Sequence, residues 1–299
     1  MNVQSTQLNS FTKKYKELLV QHFRESIEGL HAPNVLKESM LYSLEAGGKR
    51  IRPLLLFATI EALGEEPEIG LNVADAIEMI HTYSLIHDDL PSMDDDDLRR
   101  GKPTNHIVFG EANAVLAGDA LLTYSFELIA IAPETSIPLK SKLDLVQLLA
   151  KSAGAEGMVG GQVADMIGED KNLSLDELQY IHLHKTGKLL TCSVLSGAIL
   201  GKANEEQMKH LEKFAYHLGL AFQIRDDLLD ISGDESLIGK PVGSDEGNHK
   251  TTYPSLLGVA GAEEALEKHY QLASEALQKV GGRIEILEEL TDIIVRRNH

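Results

Sequence analysis

The sequence predicts an all-α protein with about ten or more helices. Apolar residues recur at spacings of three and four along most of the chain, as they do on one face of a helix. Capping residues, prolines and glycines flank these periodic stretches, and alternating strand patterns bounded by turns are nearly missing. Many of the predicted helices are too apolar to lie on a surface, so we expect them in a core.

Two helices are predicted in the first third of the chain. In "RPLLLFATIEALG", Pro53 lies near a helix start and Gly64 follows its end, which is the usual placement of both residues. In "VADAIEMIHTYSLIHDDL", Val73, Ile77 and Ile80 keep the helical spacing toward a cluster of acidic residues.

Two more helices are predicted from "SLDELQYIHLHKTGKLLTCSVLSGAILG" and "NEEQMKHLEKFAYHLGLAFQIRDDLLDISG". The first opens with Ser174 three residues before Glu177, a capping-box arrangement, and closes on Gly201. The second opens with Asn204 and stays periodic through Ile231. Both stretches therefore predict long helices.

The domain organisation is predicted to be simple. No stretch resembles an interdomain linker, so we expect one domain over residues 1–299. The polar, glycine-rich stretch from Ser232 to Pro254 is typical of a functional lid or a disordered segment, and "RRGKPTNHIVFG" is a shorter irregular piece.

Composition limits the possible partners. With 28 Lys+Arg against 46 Asp+Glu, the formal net charge is -18, which repels nucleic acids and anionic membrane surfaces. The N-terminal residues lack the basic start and following apolar run of a signal peptide, so we expect none. The chain also lacks a run of about 18 apolar residues, which argues against a membrane span. The only cysteine, Cys192, excludes an internal disulfide, and we expect a cytoplasmic protein.

Acidic residues cluster at the end of two predicted helices. In "QIRDDLLD", Asp226 and Asp230 are four residues apart and project from one helix face. A solvated surface is one interpretation, but the surrounding apolar residues favour a buried helix whose carboxylates face inward and need a partner.

The other cluster is "DDLPSMDDDD". Asp88 and Asp94 are about 600° apart on a regular helix and would lie on different faces. Pro91 disfavours helical geometry at Leu90, so the chain is expected to break there and return Asp94 toward Asp88. We expect the Asp95 to Asp97 run to be mostly solvent-facing.

The ligand chemistry indicates magnesium. Oxygen ligands without cysteine and with little histidine nearby favour Mg²⁺ over zinc, and the spacing does not fit a calcium EF-hand. Because Mg²⁺ held by few carboxylates completes its shell with water and phosphate, a phosphorylated substrate is predicted.

Cationic residues form the second half of the pattern. A single pair of basic residues is more often a plain surface feature. In an acidic protein, however, the clustering of several pairs beside glycines and acids predicts two anion pockets that flank a metal centre. The residues are Lys49, Arg50, Arg52, Arg99, Arg100, Lys102, Lys185, Lys188, Lys240 and Lys250.

These motifs together resemble those of the trans-isoprenyl diphosphate synthase family. "DDLPSMDDDDLRRGKPTNH" and "FQIRDDLLD" are similar to its two aspartate-rich motifs, and "GGKRIRP", "GGQVADM", "HKTGKL" and "GKPVGSDEGNHKTTYP" are similar to its other blocks in the same order. The resemblance covers about Glu38 to Leu257. It implies a deep central cavity with both acidic motifs across its mouth, and a homodimer.

The resemblance also implies a reaction. The family joins an allylic diphosphate to isopentenyl diphosphate: the allylic C–O bond ionises, the double bond of isopentenyl diphosphate attacks the cation, and a proton leaves. Departed diphosphate could accept that proton, so no protein base is required. About three Mg²⁺ ions are implied once diphosphate is bound.

Residue roles follow from the same resemblance. Asp88, Asp94 and Asp226 would bind Mg²⁺, Asp230 would act through water, and Asp89 and Asp227 would support them. Arg99, Lys185 and Lys240 would contact the allylic diphosphate, with Thr186 and Gln223 near the reacting carbons. Isopentenyl diphosphate would be held by Lys49, Arg52, His81 and Arg100. Taken alone, His81 is typical of a core histidine; the resemblance favours the ligand role.

Product length is predicted from the residues before the first motif. Tyr83 and Ser84 lie five and four residues before Asp88, about one helical turn from the metal. Together with the enlargement that contains Pro91, they resemble bacterial farnesyl diphosphate synthases. Tyr83 would then form the floor that stops the growing chain at fifteen carbons.

Four other functions compete with this interpretation. A geranylgeranyl diphosphate synthase differs only in product length. An isoprenoid cyclase does not need the second diphosphate site that "GGKRIR" and Arg100 supply. A metal phosphohydrolase, suggested by His87-Asp88, leaves Asp226 and Asp230 unexplained. A regulatory subunit is expected to have lost an acidic motif, and here both are intact.

Overall fold

The computed structural model describes residues 6–169, 171–232 and 250–297. Backbone contacts divide these residues into two compact units. Unit 1 contains the described residues of Met1–Phe57 and Glu66–Val146, and unit 2 those of Ala58–Glu65 and Gln147–His299. The all-α prediction is confirmed, since nearly all of the described secondary structure is helical. The single-domain boundary stays a prediction.

The elements in the first half of the chain are mostly helices, with one short hairpin and a 3₁₀ turn at Pro67–Gly70. Their bounds are α1 Thr6–Glu28, α2 Asn34–Leu44, α3 Ile51–Ala62, α4 Leu71–Asp88, β1 Leu98–Arg99, β2 Lys102–Pro103, α5 Asn105–Phe109, α6 Glu111–Ile131 and α7 Leu139–Ala153.

The second half is helical in the part that the structure describes, with a π-helical turn at His182–Gly187 between α9 and α10. Its bounds are α8 Met158–Gly168, α9 Leu175–Ile181, α10 Lys188–Leu200, α11 Glu205–Ser232, α12 Tyr253–Gln278, which is kinked at Gly258, and α13 Glu285–Arg296.

The helix boundaries predicted from capping residues are confirmed. Ser174 and Glu177 form both hydrogen bonds of the capping box at the start of α9. The Asn204 side chain accepts the Gln207 amide before α11. Gly64 follows α3 with φ +86°, a backbone conformation that glycine adopts without strain.

In unit 1, α4 forms the centre of the core. It is buried on most of its surface and packs against α6, α1 and α2, so its low amphipathicity reflects neighbours on several sides. Its C-terminal end carries the first acidic motif. The core therefore fixes the position from which Asp88 projects.

The predicted irregular piece "RRGK" forms a two-residue hairpin. Leu98 pairs with Pro103 and Arg99 with Lys102, and Arg100 and Gly101 have φ +53° and +74° in the turn. Two successive residues with positive φ are typical of a type I′ turn, whose twist suits a tight hairpin.

In unit 2, α11 packs against α12 and α10. A cluster of buried apolar side chains forms where α9, α11, α12 and α13 meet, and it includes Leu178, Ala221, Ile224, Leu228, Tyr253, Ala262, Leu266 and Val295. This cluster fixes α11, and hence the second acidic motif, along its C-terminal half.

The long helix predicted from Ser174 to Gly201 is interrupted. Its middle, His182–Gly187, is a π-helical turn, which inserts an extra residue into the helix and occurs often at functional sites. A Cβ on Gly161 of α8 would lie 2.1 Å from the Lys185 nitrogen, and one on Gly219 of α11 would lie 3.0 Å from Gly187 Cα. Both glycines therefore allow a close backbone approach to this turn.

Among the described helices, α6 is long and apolar enough to cross a membrane by length and composition. In the structure, 44% of its apolar window is buried, and the helix packs against α4 and α2.

Candidate active site

The first acidic motif follows the end of α4. The Asp94 amide donates to the Asp88 carbonyl over 2.8 Å, and the Met93 amide donates to the Leu90 carbonyl over 2.8 Å. The chain thus leaves helical geometry next to Pro91 and folds back, as predicted. Asp95, with φ +52°, holds a strained conformation just after this turn. The backbone, rather than a helical repeat, brings Asp94 to Asp88.

Asp89 forms a buried ion pair with Arg99. The Arg99 Nε lies 2.7 Å and 2.9 Å from the two Asp89 oxygens, and the Asp89 side chain is only 4% exposed. Burial raises the pKa of Asp89, although Arg99 opposes this effect. Arg99 also lies 3.8 Å from Asp96, which is half-buried. Asp89 thus positions the guanidinium that the sequence assigns to the allylic diphosphate.

Two cationic loops of unit 1 meet in space. Arg100 Nη1 donates to the Gly47 carbonyl, and a Cβ on Gly48 would clash with the Arg100 guanidinium at 2.6 Å. Gly48 of "GGKR" therefore makes room for Arg100 of "RRGK". This contact between Gly47 and Arg100, 53 positions apart, brings Arg100 to the loop that carries Lys49, and the resemblance assigns Lys49 and Arg100 to the same diphosphate.

Arg50 has a structural role. Its buried guanidinium donates to Glu78 over 2.6 Å and to the Leu44 carbonyl, and it lies 5.5 Å from the Phe23 ring. Its φ of +55° is unusual for a non-glycine residue. Arg50 anchors the loop to α4.

The remaining residues predicted for isopentenyl diphosphate lie in unit 1. Lys49 is exposed beside this loop, and Arg52 is half-buried in the first turn of α3. Burial lowers the pKa of His81 well below its usual range, and Arg52 and Arg100 lower it further. His81 is therefore a neutral imidazole within a cluster of arginines, a suitable hydrogen-bonding partner beside an anion.

Tyr83 lies in the buried part of α4 before the first motif. Burial raises the pKa of its phenol to about 12, and Asp88 adds to this effect. Its ring meets the His87 ring edge-on, with centroids 5.7 Å apart. Ser84 donates to the His81 carbonyl over 2.9 Å. Both residues lie on α4 about one helical turn before Asp88, and the role of Tyr83 as the floor stays a prediction.

The second acidic motif lies within α11. Asp226 and Asp230 are both partly exposed, and Asp226 retains 40% of its side-chain surface. The buried carboxylate is Asp227, which accepts the Tyr253 amide over 2.9 Å. The apolar neighbours bury the face that carries Asp227, while Asp226 and Asp230 are only partly buried; that these two carboxylates face inward stays a prediction.

Within unit 2, a cavity of about 220 Å³ lies beside the π-helical turn. Three of the predicted residues, Lys185, Thr186 and Gln223, line it together. Asp227 and Lys250 line the same cavity. The structure thus brings three of the five residues assigned to the allylic substrate to one place; Arg99 lies in unit 1, and Lys240 lies outside the described residues.

Sequence analysis missed Asp165, which binds two of these cations. Its Oδ2 lies 2.6 Å from Lys185 Nζ and 3.5 Å from Lys250 Nζ. Burial would raise the pKa of Asp165, but the two lysines outweigh it and hold the pKa below its usual range. The only signal in the sequence was its place within "GGQVADM".

His182 was also missed. It lines the cavity, stacks on the Tyr253 ring at 5.6 Å, and lies 3.7 Å from Asp227. Burial lowers its pKa to about 4, so the imidazole is neutral at physiological pH. Its buried Nδ1 has no hydrogen-bond partner among the described residues.

The donor chemistry fits Mg²⁺. Asp226 and Asp230 present partly exposed carboxylates one helical turn apart, and Asp88 and Asp94 are held by a tight backbone turn. In the described residues, no group of three or more His, Cys, Asp or Glu side chains forms a closed metal site. Carboxylate oxygens of this kind suit Mg²⁺, which takes few carboxylates and completes its shell with water and phosphate.

A family comparison identifies this arrangement. The family model described as polyprenyl synthetase matches residues 33–289, which include both acidic motifs. The chain belongs to the polyprenyl synthetase family. The resemblance inferred from the motifs is therefore confirmed.

Members of the polyprenyl synthetase family match nearly the whole chain. The farnesyl diphosphate synthase of Geobacillus stearothermophilus is 57% identical, covering 98% of each chain. That of Bacillus subtilis (strain 168) is 52% identical over 99% of this chain and 100% of its own. A solved FPP/GFPP synthase from Zymomonas mobilis has a TM-score of 0.86 and 36% identity, covering 97% of this chain and 99% of its own.

The individual roles of the site residues stay predictions. The structure gathers His81, Arg52 and Arg100 in unit 1 and Lys185, Thr186 and Gln223 in unit 2. Lys240 lies outside the described residues. That both acidic motifs face one cavity also stays a prediction.

Proposed function

We propose that this prenyltransferase is a farnesyl diphosphate synthase. It would condense isopentenyl diphosphate with dimethylallyl diphosphate and then with geranyl diphosphate. The observation that carries the proposal is the unit 2 cavity, where Lys185, Thr186, Gln223 and Lys250 converge beside the second acidic motif. The farnesyl diphosphate synthases at 57% and 52% identity support the product assignment.

The hard step is the loss of diphosphate from the allylic substrate. Lys185 and Arg99 would contact the leaving group, and their ion pairs with Asp165 and Asp89 hold them in position beforehand. Mg²⁺, when bound, supplies positive charge that neutralises the departing diphosphate. Asp88, Asp94 and Asp226 would hold it, with Asp230 acting through water.

The second substrate, isopentenyl diphosphate, would be bound by basic side chains and not through a metal ion. Lys49, Arg52 and Arg100 would bind isopentenyl diphosphate, with neutral His81 donating a hydrogen bond. Thr186 and Gln223 would orient the allylic carbons for attack. The chain's residues thus position both partners, and departed diphosphate takes the proton.

The assembly and compartment are also proposals. Exposed apolar side chains on α5, α6 and α7 support a homodimer in which a second copy covers them, and they include Ile107, Val108, Leu116, Ile131, Leu139 and Leu143. The single buried Cys192 supports a reducing cytoplasm. Light scattering on the purified protein tests the dimer.

One assay tests the proposed reaction. The protein is incubated with isopentenyl diphosphate, dimethylallyl diphosphate and Mg²⁺, and the dephosphorylated alcohols are separated by chromatography. Farnesol supports the proposal. Geranylgeraniol would instead indicate a geranylgeranyl diphosphate synthase, and free phosphate without coupling a hydrolase.

A further inference from the structure

Arg297, just past the end of α13, binds a carboxylate of the second acidic motif. Its Nη2 donates to Asp226 Oδ1 over 2.6 Å and to the Phe222 carbonyl over 3.2 Å. The two residues are 71 positions apart, so no local pattern in the sequence predicts this contact.

The contact is built into the fold. The Arg297 side chain is only 9% exposed, and its guanidinium lies 4.2 Å over the Phe222 ring. Arg225 Nε donates to the Arg297 carbonyl over 2.7 Å, which fixes the backbone as well. The adjacent Arg296 differs: it is exposed and lies over the Tyr270 ring.

This pairing changes the charge that Asp226 offers to a metal. A carboxylate in a charge-assisted hydrogen bond with an arginine presents little net charge to a dication, and the guanidinium itself repels that dication. Diphosphate adds negative charge on the other side of the ion. A metal paired with diphosphate carries less net positive charge, so the guanidinium repels it less and Arg297 weakens its binding less.

We infer that Arg297 makes divalent-metal binding at Asp226 depend on bound diphosphate. Arg297 is thus a positioning residue: it holds Asp226 in one orientation and weakens metal binding when no substrate is bound. The inference rests on the proposed role of Asp226 as a Mg²⁺ ligand.

Mn²⁺ binding tests the inference directly, followed through the free Mn²⁺ signal in electron paramagnetic resonance. Without diphosphate, Arg297→Gln should bind Mn²⁺ about fivefold more tightly than the wild type. This factor corresponds to about 1 kcal/mol, the free energy typical of one partly exposed charge pair. With inorganic diphosphate present, the difference should fall below about twofold.

Three further variants make the test specific. Arg296→Gln removes a neighbouring charge and should leave Mn²⁺ affinity unchanged. Arg297→Lys keeps the charge and should bind Mn²⁺ like the wild type. Asp226→Asn combined with Arg297→Gln should abolish the gain. Circular dichroism melting curves verify that each variant folds.

Two results would overturn the inference. If Asp226→Asn weakens Mn²⁺ binding but Arg297→Gln does not strengthen it without diphosphate, Arg297 does not control the metal, and the proposed function stands. If Asp226→Asn leaves Mn²⁺ binding unchanged with and without diphosphate, the metal assignment of Asp226 fails together with the inference.

Discussion

In the first acidic motif Asp88 is the last residue of a helix and Asp94 lies beyond its end, whereas in the second motif both carboxylates lie within one helix. Asp94 reaches Asp88 through a non-helical turn closed by a 2.8 Å backbone hydrogen bond. Asp226 and Asp230 need only the helical repeat of α11. The first motif therefore depends on its turn, and the second depends on the partners of its side chains.

The neighbouring cations differ in the same way. In unit 1 the non-glycine residues Arg50 and Arg100 have positive φ, so strained backbone fixes where the guanidinium groups lie. In unit 2, Lys185 and Lys250 are held by the carboxylate of Asp165. The cations of the two units are thus held in place by different means.

The largest expected effect is the loss of a carboxylate from the second motif. Asp226→Ala should slow turnover by about 10² or more in saturating Mg²⁺, by analogy with the loss of one electrostatic stabiliser. Asp230→Ala, which removes the carboxylate predicted to act through water, should slow it less. Steady-state kinetics with both variants compare the two. Near-normal turnover of Asp226→Ala would reject its assignment as a metal ligand.

The next largest effect is on stability, through the buried ion pair between Asp89 of the first motif and Arg99. Asp89→Ala leaves Arg99 without its buried bidentate partner, which should lower the free energy of unfolding by about 2 kcal/mol. Asp96→Ala is the matched control, because Asp96 lies 3.8 Å from the same arginine and is far more exposed. Urea denaturation measures both. Equal effects would mean that the buried pair does not stabilise the turn.

Product length should change when the buried ring of Tyr83, just before the first motif, is removed. Tyr83→Ala removes a buried ring near Asp88 and should lengthen the main product by about one isoprene unit or more, if the chain grows toward α4. Ser84→Ala removes only a hydroxyl that bonds within α4, so farnesol should remain its main product. Chromatography of the alcohols decides: farnesol alone from Tyr83→Ala would exclude this residue as the floor.

The smallest effects concern two histidines, one that contacts α4 and one that contacts α11, whose contributions to the free energy of unfolding should change with pH in opposite directions. His22 lies 2.5 Å from buried Asp75 of α4, and its pKa is raised above 6.5 mainly by that hydrogen bond. The stabilisation is therefore present below pH 6.5 and is lost as pH rises through the folded-state pKa. The destabilisation caused by His22→Gln should shrink between pH 6.5 and pH 8.5, as the imidazole loses the proton that the Asp75 hydrogen bond favours.

His269 should behave oppositely. It lies 3.0 Å from His217 of α11, and burial lowers its pKa to about 4. Its contribution is present above pH 6.5 and is lost as pH falls, because the unfolded state binds the proton more readily. His269→Gln should therefore destabilise less at pH 5 than at pH 7.5, by about 1 kcal/mol after allowance for solvent. Urea unfolding at each pH measures both pairs, and parallel trends would contradict the contrast.

The features predicted from the sequence were those with local causes. Pro53, Gly64, Ser174 and Asn204 mark helix ends because capping acts within one turn. The break next to Pro91 was predicted for the same reason. The resemblance of short blocks then indicated the family.

The features that were not predicted depend on contacts between distant residues. Nothing near Asp226 in the sequence identifies Arg297 as its partner, and Asp165 carries no periodic signal. The π-helical turn at His182–Gly187 was predicted as plain helix, since its apolar spacing is helical. Whether Asp226 or Asp227 is buried depends on Tyr253, 26 residues away.

The glycines beside the π-helical turn have a consequence for variation within this site. Gly161 leaves no room for a methyl group, whose carbon would lie 2.1 Å from the Lys185 nitrogen, and one on Gly219 would press on Gly187 at 3.0 Å. New specificities could arise by changing side chains around the substrate, as at Tyr83, while Gly161 admits no larger residue without moving the backbone at Lys185. The part of the catalyst that is hardest to alter is thus the part that has no side chain.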